Sequence, residues 1–129
     1  MGMHTGLVLT RTCDLTKVED QFTEEQVREI IDRPEWLFKG IKNAQDYSVS
    51  YPGDDDDTFV LCNDIDEVDT DWDEGMFKFA ANVSKYMTSL NESDVDDFKT
   101  AISNIEKHFG MKLDMSKISF RREVVGFVR

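Results

Sequence analysis

Carboxylates dominate one stretch of the sequence, GDDDDTFVLCNDIDEVDTDWDEG, which spans residues 53–75. Eleven of its 23 residues are Asp or Glu, and none is Lys or Arg. Carboxylates at this density could coordinate a divalent cation, act in pairs as general acid and base, or present a negative surface to a basic partner. Each of these three chemistries requires a different arrangement of the neighbouring residues.

A calcium-binding EF-hand loop is the most specific metal site that this stretch could encode. Such a loop places acidic or amide ligands at positions 1, 3 and 5, glycine at position 6 and glutamate at position 12. Asp69, Asp71 and Asp73 match the first three, but Glu74 and Ala80 then occupy positions 6 and 12. The sequence therefore predicts no metal or cofactor site. Divalent-cation binding or metal-dependent catalysis through the acidic loops stays the alternative hypothesis.

Catalytic residue types other than carboxylates are scarce. The chain has two histidines, His4 near the N-terminus and His108 at the predicted end of a helix, where a cation complements the helix dipole. It contains no nucleophile elbow, P-loop, GxGxxG or HExxH motif. Carboxylate pairs act as acid and base only in a cleft that separates their pKa values. We therefore predict that the protein is not an enzyme.

The cysteines and the lengths of the apolar runs indicate in which cellular compartment the protein is found. Cys13 and Cys62 lie in apolar segments, which predicts two buried free thiols, and no paired Cys/His spacing indicates structural zinc. No apolar run approaches the roughly 18 residues that span a bilayer. Residues 1–10 lack the basic start and the long apolar stretch of a secretory signal. These features predict a soluble, cytoplasmic protein.

The net charge is strongly negative and unevenly distributed. Of the 27 acidic residues, 12 lie between Asn43 and Phe77, where there is no Lys or Arg, and the other 15 are balanced by 15 basic residues. A formal net charge of −12 repels nucleic-acid phosphates and anionic lipid, and it attracts basic proteins. We therefore predict a basic protein as partner, and neither nucleic acid nor a membrane. The oligomeric state is left open by the sequence.

Trp72 is the aromatic residue that stands out within the acidic stretch, because Asp71 and Asp73 flank it directly. A tryptophan between two charges is either an anchor buried in the core or an exposed contact. Aromatic residues are enriched at the centres of protein interfaces, where charged residues surround them. The sequence leaves both interpretations open.

Alternation of apolar and polar residues predicts four strands. Pro52-Gly53 is typical of the turn that would join the second and third strands into a hairpin. A shorter apolar piece at residues 35–40 could form an additional short strand, and Gly126 is expected to mark a β-bulge. The four predicted strands cover residues 4–15, 46–53, 58–65 and 117–129.

Capping signals predict two helices. Thr23 with Gln26 three residues later forms a capping box, and Pro34 ends that helix, which we expect at about 23–33. Ser93 is a typical N-cap for a second helix, whose apolar residues recur every three or four positions up to the C-cap glycine, Gly110.

Residues 76–87 fit two periods. Phe77, Phe79 and Val83 continue an alternating pattern, while Phe79 and Val83 also begin a helical spacing. We predict a strand here, preceded by an acidic linker at 66–75. The whole chain is then one α+β domain, residues 1–129, in the order β-α-β-β-β-α-β. It is expected to form a two-layer sandwich, with a mainly antiparallel sheet and two helices on one face.

Three segments, MGMHTGLVL at the start, EWLFKG after the first helix and FAANVSKY before the last, carry a resemblance. They resemble a family of small phage and bacterial proteins in which a Gly-Met-His-Thr start leads into the first strand. The Asp-rich insert and the segment MTSLNES depart from that pattern. The resemblance implies a small α+β domain of phage origin and hence a place in the host cytoplasm. The family has no assigned activity, so no catalytic residue is transferred.

These features together predict a non-enzymatic, acidic interaction protein that engages a basic protein surface. If the resemblance to phage proteins holds, the expected target is a host or defence protein that normally binds nucleic acid, because spaced carboxylates can imitate phosphates. An acidic face that only keeps the protein in solution is the simpler reading of the same charge. The predicted partner-binding residues are Asp54, Asp55, Asp56, Asp57, Asp64, Asp66, Asp69, Asp71, Trp72 and Asp73.

Overall fold

A computed structural model describes residues 5–50, 59–87 and 92–128 of the chain. They form four strands and three α-helices, with short 3-10 turns between them, which confirms the predicted α+β class. In chain order the elements are β1 (Thr5–Asp14), α1 (Glu24–Ile31), β2 (Tyr47–Ser50), β3 (Val60–Asp69), α2 (Asp73–Tyr86), α3 (Glu92–Phe109) and β4 (Ser119–Val128).

The four strands form one antiparallel sheet in the order β2-β3-β1-β4. The predicted hairpin is confirmed, because β2 pairs with β3 from Tyr47 opposite Asn63 to Ser50 opposite Val60. β1 is central and pairs along its whole length with β4. Its apolar and β-branched residues suit this position, since a central strand is covered on both sides by neighbouring strands.

The core occupies one face of the sheet, in two clusters. The larger cluster lies under α1 and α3 and includes Cys13 and Phe98, and the smaller lies under α2 and consists of Leu9, Val68 and Phe79. Leu9 and Cys13 are an even number of residues apart on β1, so their side chains point to the same face. All three helices therefore pack on one face, where the sequence had predicted two.

The start of α1 follows the predicted capping box. Thr23 Oγ1 accepts a hydrogen bond from the Gln26 amide at 3.1 Å, and Gln26 Oε1 accepts one from the Thr23 amide at 2.9 Å. Val27 and Ile30 then face the larger core cluster. The helix ends at Ile31, before Pro34, as the sequence indicated.

The predicted strand at residues 76–87 is wrong, because residues 76–86 lie within helix α2 and Met87 caps its end. Met76, Phe79, Val83 and Tyr86 recur at helical spacing and pack on the smaller cluster beneath the helix. The predicted acidic linker at 66–75 is wrong for a related reason. β3 runs to Asp69 and α2 begins at Asp73, so only a short turn lies between them.

Three smaller predictions also need correction. Residues 35–40 form turns and not a strand. No bulge occurs at Gly126, because β4 pairs with β1 without a break in register; the irregularity lies in β3, around Ile65. The last helix begins at Glu92, so Ser93 lies within its first turn and does not precede it.

Candidate partner-binding surface

The ten predicted partner-binding residues fall into three groups. Residues 54–57 lie outside the described part of the chain. Asp64 and Asp66 belong to the middle of β3, and the remaining four lie at the end of that strand or just after it. The structure thus separates residues that the sequence had treated as one acidic stretch.

The bulge in β3 places Asp64 and Asp66 on opposite faces of the sheet. Asp64 lies opposite Thr10 of β1, whereas Asp66 lies opposite Leu9, because Ile65 is an extra residue between them. Residues directly opposite each other point to the same face, so Asp66 points towards the helices and Asp64 away from them. Asn82 Nδ2 of α2 accordingly donates to Asp66 Oδ2 at 2.8 Å. Asp66 thus holds α2 against the sheet.

The turn between β3 and α2 brings Asp69, Asp71, Trp72 and Asp73 together at the surface, where all four are exposed. Backbone hydrogen bonds fix this turn. Thr70 N donates to the Thr5 carbonyl at 3.1 Å, and the Trp72 amide donates to the Asp69 carbonyl at 3.3 Å. The carboxylates are therefore presented from an ordered turn that is attached to the end of the sheet.

Trp72 is exposed and is not a core anchor, since 56% of its surface is accessible to solvent. Its indole ring lies on the backbone of Gly75. A Cβ atom at Gly75 would lie only 2.1 Å from Trp72 Cε3. The glycine thus allows the ring to lie close to the first turn of α2, with its other face open.

Phe77 is the most exposed of the large apolar side chains in the described part of the chain, at 79%. It projects from α2 away from the smaller core cluster. Together with Asp73, Met76 and Ala80, it lines a shallow depression of about 370 Å³. Phe77 is not among the residues predicted from the sequence, because a strand is predicted for residues 76–87. In a helix, Phe77 falls outside the apolar stripe that begins with Met76 and Phe79, and this is the signal that would have identified it.

We call this region the acidic–aromatic surface. It combines two exposed aromatic rings with four exposed carboxylates, and a single cation, Lys78, lies 3.8 Å from Glu74 in an exposed pair of the kind that contributes little. Asp73 and Glu74 occupy the first turn of α2, where the helix dipole favours negative charge. The surface consists of Asp69, Asp71, Trp72, Asp73, Glu74 and Phe77.

A second feature that the sequence did not reveal is a cleft of about 490 Å³ between α2 and α3. Arg11 and Arg122 lie directly opposite each other on its floor, on β1 and β4. Like charges in this arrangement repel. Arg122 is held over the ring of Tyr86, 5.3 Å from its centroid, and donates to the Tyr86 carbonyl.

Arg11 belongs to a polar network that links the sheet to α3. Its guanidinium donates to Asn63 Oδ1 and to the Tyr47 hydroxyl, and that hydroxyl donates to Asp97 Oδ2 at 2.7 Å. Tyr47 and Asn63 are buried, so these bonds satisfy polar groups that have left water. The network gives the floor of the cleft a structural role.

Neither cysteine offers a reactive thiolate. Burial, followed by the charges of Asp64 and Glu123, raises the pKa of Cys62 to about 12. Burial, with smaller effects of neighbouring groups, also raises the pKa of Cys13 far above its ordinary value. Both thiols are free, Cys13 buried as predicted and Cys62 only half-buried. Their raised pKa values keep both protonated at neutral pH, whereas nucleophilic cysteines require the thiolate.

The described residues contain no cluster of three or more His, Cys, Asp or Glu side chains that could hold a metal ion. Residues 54–57, which carry four of the predicted carboxylates, lie outside the described part of the chain. Within the same described residues, none of the helices is both long enough and apolar enough to cross a membrane.

Comparisons of the chain with protein-family models, with curated proteins and with solved structures give no match.

Proposed function

We propose that the protein is a non-enzymatic interaction protein that binds a basic protein through its acidic–aromatic surface. The observation that carries this proposal is the exposure of Phe77, at 79%, in a shallow depression that Asp73 also lines. Burying a phenylalanine side chain against a partner is worth about 1.5–3 kcal/mol, which the isolated chain does not gain. Trp72 adds a second, pre-positioned aromatic ring of the type that dominates binding energy at interfaces.

The carboxylates around the two rings determine the kind of partner. Asp69, Asp71, Asp73 and Glu74 would attract Lys or Arg side chains and repel acidic proteins. An Arg guanidinium could also lie over the open face of Trp72 in a cation–π contact. The surrounding charge of −12 would accelerate the encounter with a basic partner and make association sensitive to salt.

A narrower form of the proposal concerns the identity of the partner. The resemblance to small phage proteins suggests a host or defence protein that normally binds nucleic acid, with the carboxylates in place of phosphates. This form predicts that DNA or RNA displaces the chain from its partner. Residues 54–57 stay predicted contacts that lie outside the described part of the chain, and Asp64 lies on the other face of the sheet from Asp66.

The test compares variants of the purified chain as bait in a lysate, followed by titration of the captured protein. One variant, Trp72→Ala with Phe77→Ala, removes the rings. A second neutralises the surrounding carboxylates through Asp69→Asn, Asp71→Asn, Asp73→Asn and Glu74→Gln. A matched control makes the same change in net charge at exposed positions elsewhere, namely Asp20→Asn, Glu25→Gln, Glu35→Gln and Asp96→Asn.

We expect the first two variants to lose a basic partner that the control retains, and we expect high salt to weaken binding of the unaltered chain. Equal losses in the second variant and in the control would show that net charge alone drives capture. Retention of the partner by both variants would refute the acidic–aromatic surface as the binding site. If DNA displaces the chain from its partner, the partner is a nucleic-acid-binding protein, as the narrower form of the proposal requires. If DNA has no effect, only the broader form stands.

A further inference from the structure

The outer edge of β4 is available for pairing with another strand. β4 pairs with β1 along all ten residues from Ser119 to Val128, and it is the last strand of the sheet on that side. Within the described residues, nothing pairs with its other edge. A row of backbone N–H and C=O groups therefore faces outwards over the length of a ten-residue strand.

This edge carries few of the features that normally prevent strands from associating. Soluble proteins protect such edges with charged side chains, above all lysine, and with proline, bulges or very short strands. β4 contains no proline or lysine, is long, and keeps an unbroken register. Its charged residues, Arg121, Arg122 and Glu123, are held by contacts within the chain. After Glu123 it continues as VVGFV, with Val124 and Val125 exposed at 37% and 42%. An unprotected, apolar edge of this length is typical of a strand that is covered by a partner.

We propose that a second copy of this chain covers the edge, so that two β4 strands pair antiparallel and the two sheets join into one of eight strands. A two-fold axis perpendicular to the sheet relates the copies, and residues that pair across it point to the same face. With the axis at Arg122, Arg121 of each copy lies opposite Glu123 of the other. Phe120 then lies opposite Val124. Arg121 already pairs with Asp14 and Glu123 of its own chain, so this register joins the ion pairs of the two copies into one network. It also places Val124 and Val125 inside the joined sheet.

The two Arg122 side chains meet this axis without facing each other. Each guanidinium lies over the ring of its own Tyr86 and donates to the Tyr86 carbonyl. These contacts direct the charge towards α2 of the same copy. The like-charge repulsion expected for directly opposite residues is reduced accordingly.

The net charge of the chain also favours this edge over other surfaces. β4 carries Arg121, Arg122 and Glu123, a positive balance in a chain of net charge −12. The acidic strand β3 lies two places away in the sheet. In the dimer, the two β3 strands would be five strand spacings, about 24 Å, apart. That is about three Debye lengths at physiological salt, so the repulsion between them is largely screened.

Sedimentation equilibrium of the full chain tests the proposal. The unaltered chain is expected to associate to twice its 14.9 kDa mass. Val124→Lys combined with Val125→Lys should weaken dimerisation at least 100-fold. The matched control is Phe77→Lys, which makes the same type of change at an exposed apolar residue on α2, away from the edge. It should leave the dimer intact while impairing the partner binding proposed above, so the two proposals can fail separately.

The register is tested by Glu123→Arg, which replaces both opposite-charge pairs with like-charge pairs and should weaken the dimer about ten-fold. Circular dichroism would show whether the double lysine variant folds. If it does not fold, Glu123→Arg, a single change at the surface, still tests the proposal. A monomeric unaltered chain, a dimer that survives the double lysine change, or one that Phe77→Lys dissociates would each overturn the proposal. An unchanged dimer in Glu123→Arg would overturn the register.

Discussion

The contact between the Trp72 ring and Gly75 is the residue-level feature that shapes the acidic–aromatic surface. Any side chain at position 75 would occupy the space of the indole. Glycine inside a helix normally costs up to about 1 kcal/mol relative to alanine, so its presence in α2 requires a local reason. The close approach of the ring supplies that reason.

Gly75→Ala should therefore displace the Trp72 ring and weaken binding of the basic partner. The ring is exposed and can shift into solvent at little cost, while the better helix propensity of alanine is worth up to about 1 kcal/mol. The free energy of unfolding is thus expected to stay the same or rise by up to about 1 kcal/mol, and the indole N–H resonance of Trp72 should move. Gly126→Ala is the control, because its nearest contact would be an ordinary 3.9 Å. An unmoved resonance in Gly75→Ala would contradict the contact.

Asp14 is the charged residue through which pH should affect stability most directly. Burial alone would raise its pKa, but hydrogen bonds from Thr16 and Arg121 and the charge of Arg121 outweigh burial and hold the pKa below 3.8. The Arg121 bond measures 3.0 Å. Because the pKa of Asp14 is lower in the folded than in the unfolded chain, its ionised carboxylate stabilises the fold at pH values above the unfolded-state pKa. This stabilisation is lost as the pH falls through the folded-state pKa.

Asp14→Asn should therefore lower the melting temperature at pH 7, and the difference from the unaltered chain should shrink as the pH falls below about 4. Thermal unfolding followed by circular dichroism between pH 2 and 8 would measure it. A difference that stayed constant over this range would mean that the carboxylate charge does not contribute. Asp96→Asn, at an exposed position on α3, serves as the control and should change little at any pH.

At the scale of single elements, α1 is the part that local sequence determines most completely. Its capping box satisfies two backbone groups by side chains of the same turn, and no distant residue is needed. The bulge at Ile65 is the opposite case. It arises from how β3 fits against β1, and it moves Asp64 and Asp66 to different faces although their spacing in the sequence predicts one.

Thr23→Ala removes one half of the capping box and should lower the free energy of unfolding by about 1 kcal/mol. Urea denaturation would measure the change in midpoint. Ser84→Ala is a matched control, since it removes a hydroxyl from an exposed position inside α2 and should be neutral or slightly stabilising. An equal loss in both variants would mean that the hydroxyl of Thr23 has no special role as a cap.

At the scale of the whole molecule, two phenylalanines on helices differ in burial. One lies in the core and the other lies in the proposed interface. Phe98 on α3 is 2% exposed, and its ring meets Tyr47 edge-on at 5.7 Å. Phe77 on α2 points into solvent. The residues are chemically identical, so any difference between their variants reports the tertiary environment alone.

Phe98→Ala should lower the free energy of unfolding by about 3–5 kcal/mol, because it leaves a cavity in the larger core cluster. Phe77→Ala should change it by no more than about 0.5 kcal/mol, while abolishing partner capture. Denaturation and titration on the same preparations would measure both effects. A large loss of stability in Phe77→Ala would place that ring in the core and refute the proposed surface.

The amino-acid sequence by itself determined the features that depend on neighbouring residues. These are the α+β class, the hairpin of β2 with β3, the capped start of α1 and the concentration of negative charge. Tertiary structure decided the state of residues 76–87, because their apolar residues fit both an alternating and a helical period. Burial of Met76, Phe79 and Val83 against Leu9 and Val68 selects the helix. Phe77 is consequently left exposed, since a local pattern cannot specify which side of the segment will meet the core.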